Sequence, residues 1–198
     1  WLCRAMKALA CLPVELEKTV AVPPALRPLL AALEEAEDDE ARLAAYLHEL
    51  GRSRRASLDQ VLDVASDETT ALQVSLISTI GERGRRDVLP ALRARYSRTR
   101  DPEVHRAIVR VLGLGGGEAD VPWLVERLQN GRIRRETMFA LARIRTAAAV
   151  RALERVRRGE INSGQPDDII ALAEYLLSGA FVEIERAEGR AVGEGRGR

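Results

Sequence analysis

Cysteine, histidine and aromatic residues are scarce in this chain of 198 residues. It contains two cysteines and two histidines, and aromatic side chains make up 4% of its residues. In a helix, Cys3 and Cys11 would lie about 12 Å apart along the axis, which is too far for a disulfide. The sequence therefore predicts a fold that does not rely on disulfides, which fits a reducing compartment.

The patterns that carry common catalytic or metal chemistry are also missing. Neither His48 nor His105 lies near a cysteine or a second histidine at the spacing of zinc ligands. No serine lies in the context of a nucleophile elbow. The glycine-rich run 113–117 lacks the strand-then-helix context of a phosphate-binding loop, so we interpret it as a flexible turn. We therefore predict no catalytic residue, no metal ligand and no cofactor, and we predict that the protein is not an enzyme.

An excess of charge of one sign is absent as well. Lys and Arg number 31 against 30 Asp and Glu, so the formal net charge is only +1. Charge balance alone therefore implies neither a nucleic-acid partner nor a membrane surface.

What the sequence does contain is a pattern that repeats along its middle. Gly81, Gly113 and Ala142 follow similar apolar runs and lie 32 and 29 residues apart. Spacings near 30 residues are typical of stacked helical hairpins. Sustained alternation of apolar and polar residues, the mark of strands, is not seen. The sequence predicts an all-α fold.

Apolar periodicity and breaker residues locate the elements. Gly51 and Gly179 are predicted to end helices. We predict helices over residues 25–37, 41–50, 56–64, 70–80, 87–96, 102–112, 121–129, 133–143, 147–157 and 167–177. We divide the chain into an N-terminal helix and proline-containing linker (1–24), a helical repeat domain (25–188) with its clearest repeats at 70–158, and a Gly/Arg-rich tail (189–198) expected to be disordered.

Two pairs of segments match one family pattern. Two stretches resemble HEAT-like repeats of the short bacterial type also found in phycobilisome lyases. One is Ile80 and Gly81 followed by Leu89–Leu92, and the other is Leu112 and Gly113 followed by Val121–Leu124. In that pattern an apolar pair and a glycine close helix A, and Val-Pro-x-Leu opens helix B. The third copy departs from it, with Ala142 and Arg151 at the glycine and proline positions.

The resemblance implies a right-handed α-solenoid of about four to five stacked hairpins, whose B helices line a concave surface. It implies a binding scaffold more strongly than a reaction. Some HEAT-like proteins bind paired irons through repeated His-Glu dipeptides, but His48–Glu49 is the only such dipeptide here. We expect His48 to lie on a helix surface.

Superposing the B helices, with Leu89, Val121 and Val150 as equivalent first core positions, identifies candidate binding residues. Leu92, Leu124 and Leu153 are predicted to face the core. We expect one row of side chains to point away from the core, because it lies about 200° round the helix from the first core position. This row consists of Ala91, Trp123 and Ala152. The partner-binding candidates on the concave face are Arg95, Trp123, Glu126, Arg127 and Arg155. Trp and Arg are common interface anchors, but Trp123 filling a gap against the next helix is an open alternative.

The local charge leaves the ligand class open. Residues 83–110 contain nine arginines against three acidic residues, and residues 127–158 contain ten against two. We predict a non-enzymatic scaffold or adaptor that binds another protein. The alternative is binding of nucleic acid or another polyanion through the arginine-rich repeats. A third alternative, implied only by the phycobilisome-lyase resemblance, is an auxiliary subunit of a modifying enzyme.

The first twelve residues allow two interpretations. They read as an apolar helix with Arg4 and Lys7 just after Trp1. This helix either caps the repeats or marks the cytoplasmic edge of a membrane tether upstream of Trp1. The capping interpretation pairs Leu2, Met6 and Leu9 with Leu29, Leu30 and Leu33. We predict a cytoplasmic location, with the tether as the alternative.

Overall fold

The computed structural model describes residues 23, 26–52, 55–161 and 167–179. Within these ranges it contains ten α-helices and no β-strand, so the predicted all-α fold class is confirmed. The helices are α1 (Arg27–Glu35), α2 (Asp39–Arg52), α3 (Arg55–Val64), α4 (Thr70–Glu82), α5 (Leu89–Arg98), α6 (Pro102–Gly115), α7 (Val121–Arg127), α8 (Arg134–Ile144), α9 (Ala147–Arg157) and α10 (Asp167–Leu177).

Side-chain caps and prolines explain where several helices begin. The Thr69 hydroxyl accepts the N–H of Leu72 before α4, and the Thr146 hydroxyl accepts the N–H of Ala149 before α9, both at 3.3 Å. Pro90 and Pro122 lie in the first turns of α5 and α7, where a missing N–H costs nothing. The helix starts are therefore encoded locally.

The two predicted glycine stops have different outcomes. Gly179 follows α10 with a φ of 78°, a conformation that favours glycine, so this stop is confirmed. The prediction for Gly51 is wrong, because α2 continues through Gly51 to Arg52. Gly51 is exposed, with open space where a side chain would stand. Glycine inside a helix costs only about 1 kcal/mol, so packing elsewhere along α2 can outweigh it.

The chain divides into two compact units, residues 1–108 and 109–198. In unit 1, α2 packs against α1, α3 and α4, and α3 packs against α5. Its core is built from aliphatic side chains and one fully buried tyrosine, Tyr46. Prominent members of this core are Leu26, Leu29, Val61, Leu76 and Leu92.

A polar cluster in unit 1 joins three of its segments. The Arg42 guanidinium donates to Glu68 through Nε at 3.1 Å and to the Leu33 carbonyl at 3.1 Å. Tyr46 Oη donates to Glu68 Oε1 at 2.8 Å. The hydrogen bond to Glu68 raises the pKa of Arg42 above its ordinary value. The cluster fixes the end of α1 and the segment before α4 onto α2.

In unit 2, α9 packs against α7, α8 and α10, and α8 also packs against α7 and α10. The predicted core positions Leu124 and Leu153 are buried. Gly113 lies on Ala140, and a Cβ added to Gly113 would stand 2.7 Å from the Ala140 Cα. The absence of a side chain at Gly113 therefore lets the backbones of α6 and α8 approach closely.

The three repeated positions occupy equivalent places, as predicted, although inside the helices. Gly81, Gly113 and Ala142 all lie in the last turn of their helices, α4, α6 and α8. The register of the third B helix differs from the prediction. Val150, expected to match buried Leu89, is 39% exposed, and Ala149 is buried in its place.

Several predictions fall outside the described residues. They are the N-terminal helix at 1–12, the proline-containing linker that follows it as far as residue 22, and the tail at 189–198. The capping and tether hypotheses both depend on the first of these, so both stay predictions, as do the domain bounds and the cytoplasmic location.

Candidate partner-binding surface

Trp123 and Arg127 form a preassembled pair on α7. The Arg127 guanidinium carbon lies 4.0 Å from the centroid of the Trp123 ring, a cation–π arrangement. The same guanidinium donates to the Trp123 carbonyl at 3.1 Å and pairs with the Glu126 carboxylate. Trp123 is half-buried, whereas Val121 and Leu124 of the same helix are buried. The ring is thus held in place with part of its surface open to solvent.

Glu126 and Arg155 are the other two candidates that lie in unit 2. Their side chains are 73% and 53% exposed. Arg155 lies on α9, which packs against α7, and its Nε is 3.5 Å from a Glu160 carboxylate oxygen. We call Trp123, Glu126, Arg127 and Arg155 the α7–α9 surface.

Arg95, the fifth candidate, belongs to unit 1 and makes an internal contact there. Its guanidinium donates to Gln73 Oε1 at 2.9 Å, and burial lowers the pKa of the guanidinium. Gln73 in turn donates to the carbonyls of Ser66 and Glu68, at 3.2 and 2.8 Å. In the structure Arg95 therefore ties α5 to α4.

The predicted outward orientation of the alanine row is wrong. Ala91 and Ala152 are only 7% and 4% exposed. Each directly precedes a core leucine, so it lies only about 100° from that leucine round the helix. A helix that packs against several neighbours buries a stripe wide enough to include this position. Trp123 has the same register, and its size leaves it half-exposed.

The predicted flexible turn at 113–117 is wrong for residues 113–115, which belong to α6, and the turn that follows them is closed by the protein's own carboxylate. Asp120 is buried, and its Oδ2 accepts the N–H of Gly117 at 2.9 Å. A Cβ on Gly116 would meet the Leu112 carbonyl oxygen at 2.3 Å. An acidic side chain therefore takes an N–H that a phosphate-binding loop would offer to its ligand.

The histidines serve structural or surface roles. His48 is exposed on α2, as predicted. His105 Nε2 lies 3.1 Å from the carbonyls of Tyr96 and Thr99, so it donates to the C-terminal end of α5, and its ring stacks on Tyr96 at 3.9 Å. Within the described ranges, no three His, Cys, Asp or Glu residues group closely enough to hold a metal ion.

One cluster was not predicted from the sequence, because it lies on α6 and α8 and not on the B helices. A cleft in unit 2, here called the arginine cleft, is lined by Arg110, Arg135, Glu136, Phe139 and Arg143. Arg135, Phe139 and Arg143 are spaced four residues apart, so they share one face of α8. That stripe, built around one of only two phenylalanines in the chain, was the available signal.

Among the helices that the structure describes, none combines the length and apolar character needed to cross a bilayer.

The family described as HEAT repeats matches residues 58–142. Comparisons with curated proteins and with solved structures gave no match. The match does not distinguish the phycobilisome-lyase subtype, which stays a prediction. HEAT repeats are commonly protein-interaction scaffolds and are generally non-catalytic. This match, the all-α fold and the equivalent positions of Gly81, Gly113 and Ala142 support a HEAT-like repeat protein over residues 58–142.

Proposed function

We propose that this protein is a non-catalytic scaffold that binds another protein through the α7–α9 surface. The observation that carries the proposal is the half-exposed Trp123 ring held beneath the Arg127 guanidinium. Trp and Arg are enriched among the residues that dominate binding energy at interfaces.

Preorganisation of the pair favours binding. Arg127 already contacts the Trp123 ring, the Trp123 carbonyl and Glu126. A partner that packs on Trp123 therefore has few side-chain rotations to immobilise, and each immobilised long side chain would otherwise cost about 0.5–1.5 kcal/mol. The charges of both signs on α7 and α9, from Glu126 and Arg155, would set the orientation of the partner.

The test is quantitative affinity capture of the full-length protein from its own cells. We expect Trp123→Ala and Arg127→Glu, singly and combined, to lose the same set of captured proteins. The matched control is Tyr175→Ala, which removes another exposed aromatic side chain, from α10. All variants should keep the helical circular-dichroism signal of the wild type. An unchanged partner list in the double variant would exclude this surface as the binding site.

Nucleic-acid binding is the second candidate, and the arginine content of residues 127–158 is the observation in its favour. Several of these arginines face acidic groups: Arg127 pairs with Glu126, Arg155 with Glu160, and Arg158 with both Glu154 and Glu160. These pairings reduce the positive potential that phosphates would meet. Gel-shift assays at low salt with duplex and single-stranded DNA and RNA test this candidate, and binding should weaken steeply with added salt if it is correct.

A further inference from the structure

The arginine cleft lies where α6 and α8 come together. Gly113 of α6 packs on Ala140 of α8. Arg110 precedes Gly113 by about one turn, and Phe139 is the neighbour of Ala140. The close backbone contact therefore fixes the distance between the arginine on one helix and the aromatic ring on the other. The cleft has a volume of about 380 Å³, which falls in the range of ligand-binding clefts.

The lining combines one apolar ring with mostly positive charge. Phe139 is half-buried, Arg110 is exposed, and three guanidinium groups face one carboxylate, that of Glu136. Arg135 also has an ion pair with Asp168 at 3.7 Å, in which the two side chains are 61% and 59% exposed. Such exposed pairs contribute little to stability, so an incoming anion can replace the Asp168 carboxylate at little cost.

The composition of the lining favours a peptide over a nucleic acid. The Glu136 carboxylate can accept a backbone N–H, which a peptide offers along its chain and a sugar-phosphate backbone does not. Phe139 is the only aromatic side chain in the lining, and single-stranded nucleic acids are bound by stacking successive bases on several rings. Guanidinium groups pair with carboxylates through two parallel hydrogen bonds, and the Phe139 ring can cover an apolar side chain.

We propose that the arginine cleft binds an acidic protein segment in which an apolar side chain is flanked by carboxylates. The apolar side chain contacts Phe139, and the carboxylates pair with Arg110, Arg135 and Arg143. This interaction is separate from the α7–α9 surface, since the two sets of residues do not overlap.

The test is fluorescence anisotropy with the full chain and a labelled peptide that has a central leucine and three glutamates on each side. We expect the wild type to bind it about tenfold more tightly than the same peptide carrying glutamine in place of glutamate. The double change Arg110→Gln with Arg143→Gln should weaken binding by about tenfold or more, because each removes a charge partner. Arg110→Gln alone, at an exposed position, should show part of this loss.

The matched control is Arg151→Gln with Arg157→Gln, which makes the same change in net charge at exposed positions of α9. It should alter the affinity by less than about twofold, since exposed charges away from the cleft are screened by salt. Equal weakening by both double variants, or no preference for the glutamate peptide, overturns the proposal. Tighter binding of a labelled oligothymidylate that the cleft variants abolish would also overturn it, by making nucleic acid the ligand. Trp123→Ala should leave peptide binding intact, which separates this result from the scaffold test.

Discussion

Gly113 lies at a position where a single methyl group decides whether two helices can touch. A Cβ there would stand 2.7 Å from the Ala140 Cα and 2.9 Å from its Cβ. Both are parts of a buried helix that cannot move aside like the end of a flexible side chain. We expect Gly113→Ala to lower the free energy of unfolding by about 1–3 kcal/mol, measured by urea denaturation.

Gly51→Ala is the matched control, because Gly51 is also inside a helix but has open space around it. There alanine should raise the free energy of unfolding by about 0.5–1 kcal/mol through its higher helix propensity. If Gly113→Ala were as stable as the wild type, α6 and α8 could not be in the close contact described above.

Glu68 is the acceptor that holds the polar cluster of unit 1 together. Its carboxylate accepts from Arg42 and Tyr46, and its side chain is only 13% exposed. Glu68→Gln keeps the shape but removes the charge, so we expect the free energy of unfolding to fall by about 1–3 kcal/mol. The control is Asp63→Asn, which breaks an exposed pair with Arg98 and should cost no more than about 1 kcal/mol. Similar decreases in the free energy of unfolding of both variants, measured by urea denaturation, would contradict the greater burial of Glu68 compared with Asp63.

At the scale of the element, Asp101 sets the start of α6. Its Oδ1 accepts the N–H of Glu103 at 2.8 Å and that of Val104 at 3.4 Å, and its other oxygen accepts the Thr70 hydroxyl. We expect Asp101→Ala to lower the free energy of unfolding by about 0.5–2 kcal/mol at pH 7, the usual loss for an N-cap.

The same residue gives the stability difference a pH dependence. Hydrogen bonding from Thr70 lowers the pKa of Asp101 in the folded state. Its contribution is therefore fully present above the unfolded pKa of about 3.9 and is lost as the pH falls through the lower folded value. Urea titrations at pH 7 and at successive pH values below 4 should show that the difference in free energy of unfolding between wild type and Asp101→Ala becomes smaller as the pH falls. Thr70→Ala, which spares the cap, should shrink this pH dependence. A difference in free energy of unfolding that stays constant with pH would contradict the lowered pKa of Asp101.

At the scale of the whole molecule, stability is expected to be local. Within each unit, the helices that pack together are near neighbours in the chain. Repeat proteins of this kind are stabilised by contacts between adjacent elements, and their parts open with different free energies. In Gly113→Ala we therefore expect amide protection from hydrogen exchange to fall in α7, α8 and α9, while α2 and α3 keep theirs. An equal loss in all five helices would show that the chain unfolds as one cooperative body.

The sequence by itself determined the helices, because their signals are local. Apolar spacing and capping residues act within a few positions, and the predicted bounds of α9 (147–157) and α10 (167–177) match those observed. The leucines at 92, 124 and 153 were placed in the core by the same periodicity. The spacing of the internal repeat added the equivalence of the last turns of α4, α6 and α8.

Only the tertiary structure decided how each helix face is used. Ala91 and Ala152 are buried because neighbouring helices cover them, and Arg95 is held inside unit 1 by Gln73, 22 residues away in the chain. The arginine cleft likewise needs Arg110 beside Phe139, on different helices. The sequence determines the angular position of a residue around its own helix. It does not show which other helix packs against that side. Burial and site formation depend on that neighbour, so they become visible only once the helices are packed.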